Sequence, residues 1–245
     1  MNRKNIRSVS SFAAYLILLQ RTQYQLLSFL PKGIRRRLDP ASKWYNFYLR
    51  AEAFVFHSRI LRLLNADMDS EVSEIKRFFP ERVGSILGIG SGVALEIALL
   101  ARAFPKARVR LVDKEMVSQK IYYGLQSQGS YYNSWAAVRE VAESVGVDSS
   151  GWLFTDVDVK NPIISVSTSE PYDIVVSFLS WGFHYPISVY SSIFAAIKLQ
   201  GIVVLDIQPK EGWEQKIRTA TGPNFEIVKI RERPNSVRVI CRRFQ

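Results

Sequence analysis

The apolar positions of this chain change their period near residue 80. Before it they recur at helical spacing or in unbroken runs. Residues 8–30, built around "SFAAYLILL", read as a helix stopped by Pro31 and Gly33. "DPASKWYNFYLRAEAFVFHSRILRLLN" (39–65) reads as a second helix. Pro40 suits its first turn, and Trp44, Phe47, Tyr48, Ala51, Val55, Ile60 and Leu63 roughly follow one helical repeat. "DSEVSEIKRFF" (69–79) is a third, short helix ending at Pro80. No convincing strand appears in this region.

After residue 80, short apolar runs alternate with helical stretches. "GSILGIG", "ARVRLVD", "WLFTDVD", "YDIVVSF" and "GIVVLDIQ" read as strands. Between them, "LEIALLARAF", "MVSQKIYYGLQ", "YNSWAAVREVAESVG" and "SVYSSIFAAIKL" read as helices. This alternation predicts an α/β fold with a mostly parallel sheet covered on both faces. Two last strands, "NFEIVKIRE" and "SVRVICRRF", are joined only by "RPN". A parallel crossover needs a dozen or more residues, so this pair is predicted to be an antiparallel hairpin. The expected division is a helical region at 1–80 and a Rossmann-like, seven-stranded domain at 81–245.

Charge is placed unevenly. The net charge is +11. Residues 1–37 hold eight Lys and Arg and no acid, which leaves the remainder nearly neutral. A basic segment of this kind meets anionic lipid or nucleic acid, or is simply a solvated helix face. "SFAAYLILL" is interrupted by Gln20, Arg21, Thr22 and Gln23, well short of the roughly 20 apolar residues that span a bilayer. The "QRTQYQ" after this run is not a secretory cleavage site. The expectation is an amphipathic helix, packed on the body or lying on a membrane surface, in a cytoplasmic protein. Cys241 is the only cysteine, which excludes an intramolecular disulfide. No Cys and His cluster suggests a metal, and none is expected.

The chief chemical motif is "ILGIGSGVALEIALL" (86–100). Gly88, Gly90 and Gly92 alternate between a strand and a helix. Glycine admits positive φ and lets a ligand approach the backbone, and the helix start offers free N–H groups. Asp113 ends the next strand, 23 residues after Gly90, where a carboxylate accepts hydrogen bonds from ribose hydroxyls. Together they predict a nucleoside-containing cofactor. The dinucleotide pattern G-x-G-x-x-G fails, since its last position falls on Val93 or Leu95. The glycines lead into no G-K-[ST], which excludes a P-loop.

These residues, with the terminal hairpin, resemble the class I S-adenosylmethionine-dependent methyltransferases over roughly residues 80–245. The resemblance implies that S-adenosylmethionine is the cofactor. Gly88, Ile89, Gly90, Ser91 and Gly92 would hold its methionine part, Asp113 with Lys114 its ribose, and Asp156 with Val157 its adenine, with Asp158 as the alternate acid. Ser177, ending the fourth strand, would close the cofactor side. The family usually has an acid where this chain has Gly88, so the contact to the cofactor's amino group is unassigned.

"SFLSWGFHYP" (177–186) comes after the fourth strand at the edge of the same cleft. With "YYNSWAAV" upstream, it resembles the corresponding loop of sugar O-methyltransferases. A hydroxyl acceptor needs its proton removed, and His184 is the group in this loop with a suitable pKa. Trp181, Phe183 and Tyr185, with Tyr132 and Asn133 and also Tyr131 and Trp135, are the candidate acceptor wall; the other reading makes the aromatics core. His57 reads as structural. The leading expectation is an O-methyltransferase of a small hydroxyl-bearing acceptor, a sugar or glycan. Nucleic-acid methylation is a rival, disfavoured by the nearly neutral body and the absence of an "NPPY"-type strand end. A second rival is a non-catalytic scaffold binding a partner through the N-terminal helices. A nicotinamide-dependent oxidoreductase is the most distant.

Overall fold

The structure is a computed structural model. It describes residues 8–31, 33–34, 38–40, 42–118, 131–157 and 171–245. Seven strands form one sheet in the order β3-β2-β1-β4-β5-β7-β6. They are β1 (Ser85–Ile89), β2 (Arg108–Asp113), β3 (Leu153–Asp156), β4 (Tyr172–Ser177), β5 (Ile197–Ile207), β6 (Phe225–Arg233) and β7 (Ser236–Arg243). The first five pair in parallel, while β7 runs antiparallel to both β5 and β6. The expected sheet and terminal hairpin are both present.

Side chains along each strand alternate between two cores. Ile86, Leu111, Ile174, Val204 and Ile240 face one, and Leu87, Val112, Val175, Leu205 and Cys241 face the other. The first core also contains most of the N-terminal region. Helix α1 (Ser11–Gln20) and helix α2 (Lys43–Ile75) pack here with α3 (Leu95–Ala103) and α4 (Trp135–Ser144). The boundary at residue 80 therefore separates kinds of secondary structure within a shared core.

Helix α1 differs from its expectation in two ways. It ends at Gln20, and Thr22–Tyr24 and Leu26–Phe29 are short 3-10 turns. It is not amphipathic, because every residue from Ala13 to Leu19 is buried. A helix that is apolar all round belongs inside a fold. Ser10 caps it, accepting from Ala13 N at 3.1 Å, and both Ser10 N and its hydroxyl donate to Glu140 on α4. The two helices expected at 39–65 and 69–79 are one helix, α2, with non-helical dihedrals at Phe56.

Other differences lie further along. The stretch 188–199 forms 3-10 turns over Ile187–Ala196 and then the start of β5. Helix α5 (Trp213–Thr221) was not expected; it fully buries only Ile217 and Thr221, with Trp213 and Ala220 packed on the second core from the same face. The helix expected at 116–126 lies largely outside the described residues; of its first three, Val117 forms a bridge with Tyr132 and none is helical. No helix among the described residues is long and apolar enough to cross a membrane.

Candidate functional site

The carboxyl ends of β1, β2, β3 and β4 come level at one edge of the sheet, where Gly88 pairs with Leu111 and Val176, and Asp113 with Asp156. The strand order reverses between β1 and β4. Open α/β sheets bind ligands at such a switch point.

The glycine loop is held there by its own backbone. Gly90 has φ +60 and donates its N–H to Val112 O at 2.8 Å. Gly92 has φ +58 and donates to Asp113 Oδ2 at 2.9 Å, while Lys114 N donates to Oδ1 at 2.7 Å. Gly90, Ser91, Gly92 and Asp113 are half-buried, so the loop and the acid share an open edge. Burial pushes the Asp113 carboxyl up to about 6, and the charge of Asp156 adds to it, against the two backbone hydrogen bonds. Asp156 is exposed and accepts from Lys114 Nζ at 2.7 Å and Glu115 N at 2.8 Å. Its slight burial opposes ionisation, but those bonds prevail and hold its carboxyl below the usual range. Val157 N donates to Asp113 O at 3.0 Å. Asp158 lies outside the described residues.

Gly88 explains its own departure from the acidic pattern. A Cβ there would lie 2.6 Å from Leu111 Cδ2, 2.7 Å from Ser91 Oγ and 2.9 Å from Ile97 Cγ1. No side chain fits. A buried acid, Glu96, stands instead in the first turn of α3. Burial pushes its carboxyl up to about 7, although the Arg21 charge and the neighbouring Ser91 hydroxyl favour the ionised form. Sequence reasoning missed Glu96; its signal is a lone acid among apolar residues in "LEIALL".

It also missed Gln20, the last residue of α1. Gln20 Oε1 accepts from Val93 N at 3.2 Å, and Nε2 donates to Tyr132 O at 2.7 Å. Its amide lies over Gly92, 2.4–2.5 Å from where a Cβ would be. Next to Tyr132, Asn133 is 2 % exposed, and neither its Oδ1 nor its Nδ2 has a hydrogen-bond partner among the described residues. A buried amide without partners is costly unless something else satisfies it.

The loop after β4 assigns its residues to separate tasks. Ser177 is fully buried; its hydroxyl donates to Ile89 O at 2.9 Å and accepts from Trp181 N at 2.8 Å. It ties β1 to the loop from beneath. Trp181 is 0 % exposed, donates Nε1–H to Ile187 O, and packs on Tyr190 and Phe194. It is core, with no face left for an acceptor. Gly182, at φ +89, allows the next turn. Ser180 O accepts from the N–H groups of Phe183, His184 and Tyr185, while the Ser180 side chain lies against Gly90. Leu179 carries a positive φ at this point, as does Ala94 after the glycine loop. Strained non-glycine backbone often collects at functional sites.

His184 is thus linked to the glycine loop through one serine. The residue is partly open to solvent while its ring is shielded, standing edge-on to Phe183 with centroids 5.0 Å apart, and it makes no hydrogen bond within the described residues. Desolvation lowers its pKa, which keeps the imidazole neutral and able to take a proton. Tyr185 is half-buried, and burial, the neighbouring Tyr131 and the charge of Asp113 raise its phenol pKa. Tyr190 is pushed up to about 12 by burial, with Asp113 adding to it. Two phenols, Tyr185 and Tyr190, therefore stand within electrostatic reach of Asp113. His57 lies on α2 in the N-terminal region, its Nδ1 3.2 Å from Phe54 O. Among the described residues no metal-ligating cluster comes together.

An adenosyl sulfonium would meet Asp113, a largely buried carboxylate, and Asn133, whose amide has no partner among the described residues, while the Ser180 and Gln20 side chains already occupy the space over Gly90 and Gly92. The architecture has known counterparts. An O-methyltransferase family protein from Burkholderia thailandensis superposes with a TM-score of 0.54 at 12% identity, over 95% of this chain and 72% of that one. This chain has the class I methyltransferase fold. A methyltransferase from Pyrococcus furiosus (TM-score 0.48, 16% identity, 73% of this chain and 83% of that one) is a weaker match. So is a plantazolicin methyltransferase (0.47, 13%, 96% and 97%). No family model matches the sequence, and no curated protein does. The glycine loop follows β1 and Asp113 ends β2, as the sequence led one to expect, and Glu96 is buried in the first turn of α3.

Proposed function

We propose that this protein is an S-adenosylmethionine-dependent O-methyltransferase acting on a small hydroxyl-bearing acceptor, with a sugar or glycan as the preferred class. The observation that supports the reading is the Asp113 carboxylate, which ends β2 at the switch point beside the glycine loop and accepts from Gly92 N at 2.9 Å. When bound, the cofactor supplies an already activated methyl group, so the protein's share is alignment and a water-poor site. Asp113 accepts the ribose hydroxyls, the glycine loop accommodates the methionine portion, and Asn133 supplies amide hydrogen bonds. His184, neutral and unpartnered, takes the acceptor's proton. Phe183 and Tyr185 flank it as the acceptor wall. The sugar class rests on the resemblance of "SFLSWGFHYP" and on this half-buried aromatic wall.

Calorimetry with S-adenosylmethionine tests the cofactor. Asp113→Ala is expected to weaken binding by roughly 1–3 kcal/mol through lost hydrogen bonds to a charged group. Because the carboxyl titrates at about 6, it accepts fully above that pH and loses one acceptor as it protonates. Affinity of the parent should therefore fall between pH 7 and pH 5, and the Asp113→Ala variant should lose this dependence. No binding by the parent would favour the scaffold reading, in which Gln20 and Ser180 simply fill the glycine cradles.

His184→Ala tests the base. Turnover of a labelled acceptor is expected to fall about 100-fold with cofactor affinity unchanged. Full turnover would return His184 to a structural role. A panel of sugars, phenols and small hydroxy acids with labelled cofactor identifies the acceptor by which compound takes the label.

A further inference from the structure

The first half of helix α2 carries a row of aromatic side chains that no described residue covers. Trp44 is 59 % exposed, Phe47 66 %, Phe54 72 % and Val55 63 %. With Ala51, also exposed, they keep to the 3–4 residue spacing of one helical face. At 3.6 residues per turn they occupy a stripe about 100° wide. The opposite side of the helix holds Tyr45, Leu49 and Ala53, all buried against α1 and the first core. The stripe ends where the helix is interrupted at Phe56. Monomeric surfaces rarely present so contiguous an apolar patch without using it.

The charge of this part of the sequence, and of the two cations beside the row, selects a partner. Residues 1–62 hold twelve Lys and Arg against two acids, which accounts for +10 of the net +11. One of those acids, Glu52, is turned inward and buried, where it accepts from Leu26 N. Lys43 and Arg50 are exposed on the same helix, beside the stripe, and Lys43 Nζ lies 5.7 Å from the Trp44 ring centroid. Exposed aromatics flanked by cations match the interface of an anionic lipid bilayer: rings enter the headgroup boundary while the cations meet lipid charge. A second copy of this chain fits less well, since a two-fold pairing of this face would bring like charges together.

We propose that the Trp44–Val55 face of α2 docks the protein on an anionic membrane surface. This holds whether or not the methyl-transfer reading does, because no residue of the stripe belongs to the cofactor site. The contact is interfacial. Burial of α1 removes that helix from the role and leaves α2 to fill it.

Co-sedimentation of the full chain with vesicles tests the proposal. Vesicles of phosphatidylcholine with about one-third phosphatidylserine are compared with pure phosphatidylcholine at low and high salt. The anionic vesicles should bind at least 10-fold more protein at low salt, and the excess should shrink as salt rises. The triple variant Trp44→Ser, Phe47→Ser, Phe54→Ser should lose at least 10-fold of that binding with an unchanged melting temperature, since all three side chains are exposed. The paired variant Lys43→Glu, Arg50→Glu should lose the anionic preference. Equal binding to both vesicles would overturn the proposal, as would full binding by the triple variant. A concentration-dependent dimer in light scattering, abolished by the triple variant, would also overturn it and assign the face to self-association.

Discussion

Replacing Arg238 by leucine should lower the unfolding free energy by about 3–5 kcal/mol, the usual cost of leaving buried charge without its partner. Arg238 is 1 % exposed. Its Nε and Nη2 bind both oxygens of Asp206 at 2.7 Å, and Nη2 also donates to Glu71 Oε2 at 2.9 Å. Its guanidinium stacks on Phe178, 3.8 Å from the ring centroid. The cluster spans β5, β7, α2 and the root of the loop after β4. Burial works against the charges, but Arg238, Arg21 and Arg231 outweigh it and hold Glu71 below the usual carboxylate range. Removing the arginine leaves two buried carboxylates facing each other, whereas replacing Arg238, Asp206 and Glu71 together by apolar residues should recover most of the loss. Urea denaturation of the single and triple variants measures both. A single-variant loss under about 1 kcal/mol would mean that solvent reaches these carboxylates and the cluster is not sealed.

Gly90→Ala is the second large effect, expected at about 2–5 kcal/mol of stability together with loss of detectable cofactor binding. The new Cβ would stand 1.9 Å from Ser180 Oγ and 2.6 Å from Ser180 Cβ. Rotating the hydroxyl relieves the first clash but not the second. The positive φ at residue 90 adds its own cost for any residue with a Cβ. Pairing the change with Ser180→Gly removes the collision and leaves only the dihedral cost, so the double variant should be more stable than Gly90→Ala alone. If Gly90→Ala melts with the parent, the loop yields easily and Ser180 is not fixed upon it. Melting curves and calorimetry on the same samples decide between these outcomes.

The fold was legible because its signals are local and strong. The short apolar strand runs, the glycines after β1 and the tight "RPN" connection each force one conclusion. What escaped was decided in three dimensions. Helix α5 is short, and its single apolar face of Trp213, Ile217 and Ala220 is set among polar residues between two strands, so it reads as loop in the sequence. The all-round burial of α1 depends on how α2, α3 and α4 surround it, which a nine-residue apolar run cannot state. In the candidate site, the placement of Asp113 at the end of β2 and of the glycines after β1 was readable because it depends on spacing from a strand end. Glu96 and Gln20 were not, because each acquires its place only through contacts across the fold. Trp181 shows the reverse error: an aromatic beside a strand end has the same sequence signature whether it lines a cleft or seals a core, and only its buried indole bond to Ile187 O tells them apart.

The position of α1 bears on any attempt to shorten this protein. A recombinant fragment beginning at residue 81 would keep every strand and nearly every residue named for catalysis. It would also strip Ala13 through Leu19 from one side of the sheet and leave oily ground exposed across α3 and α4. Such a fragment should precipitate, and the smallest workable version of this protein has to start before Ser10, whose hydroxyl fastens the front of α1 to Glu140.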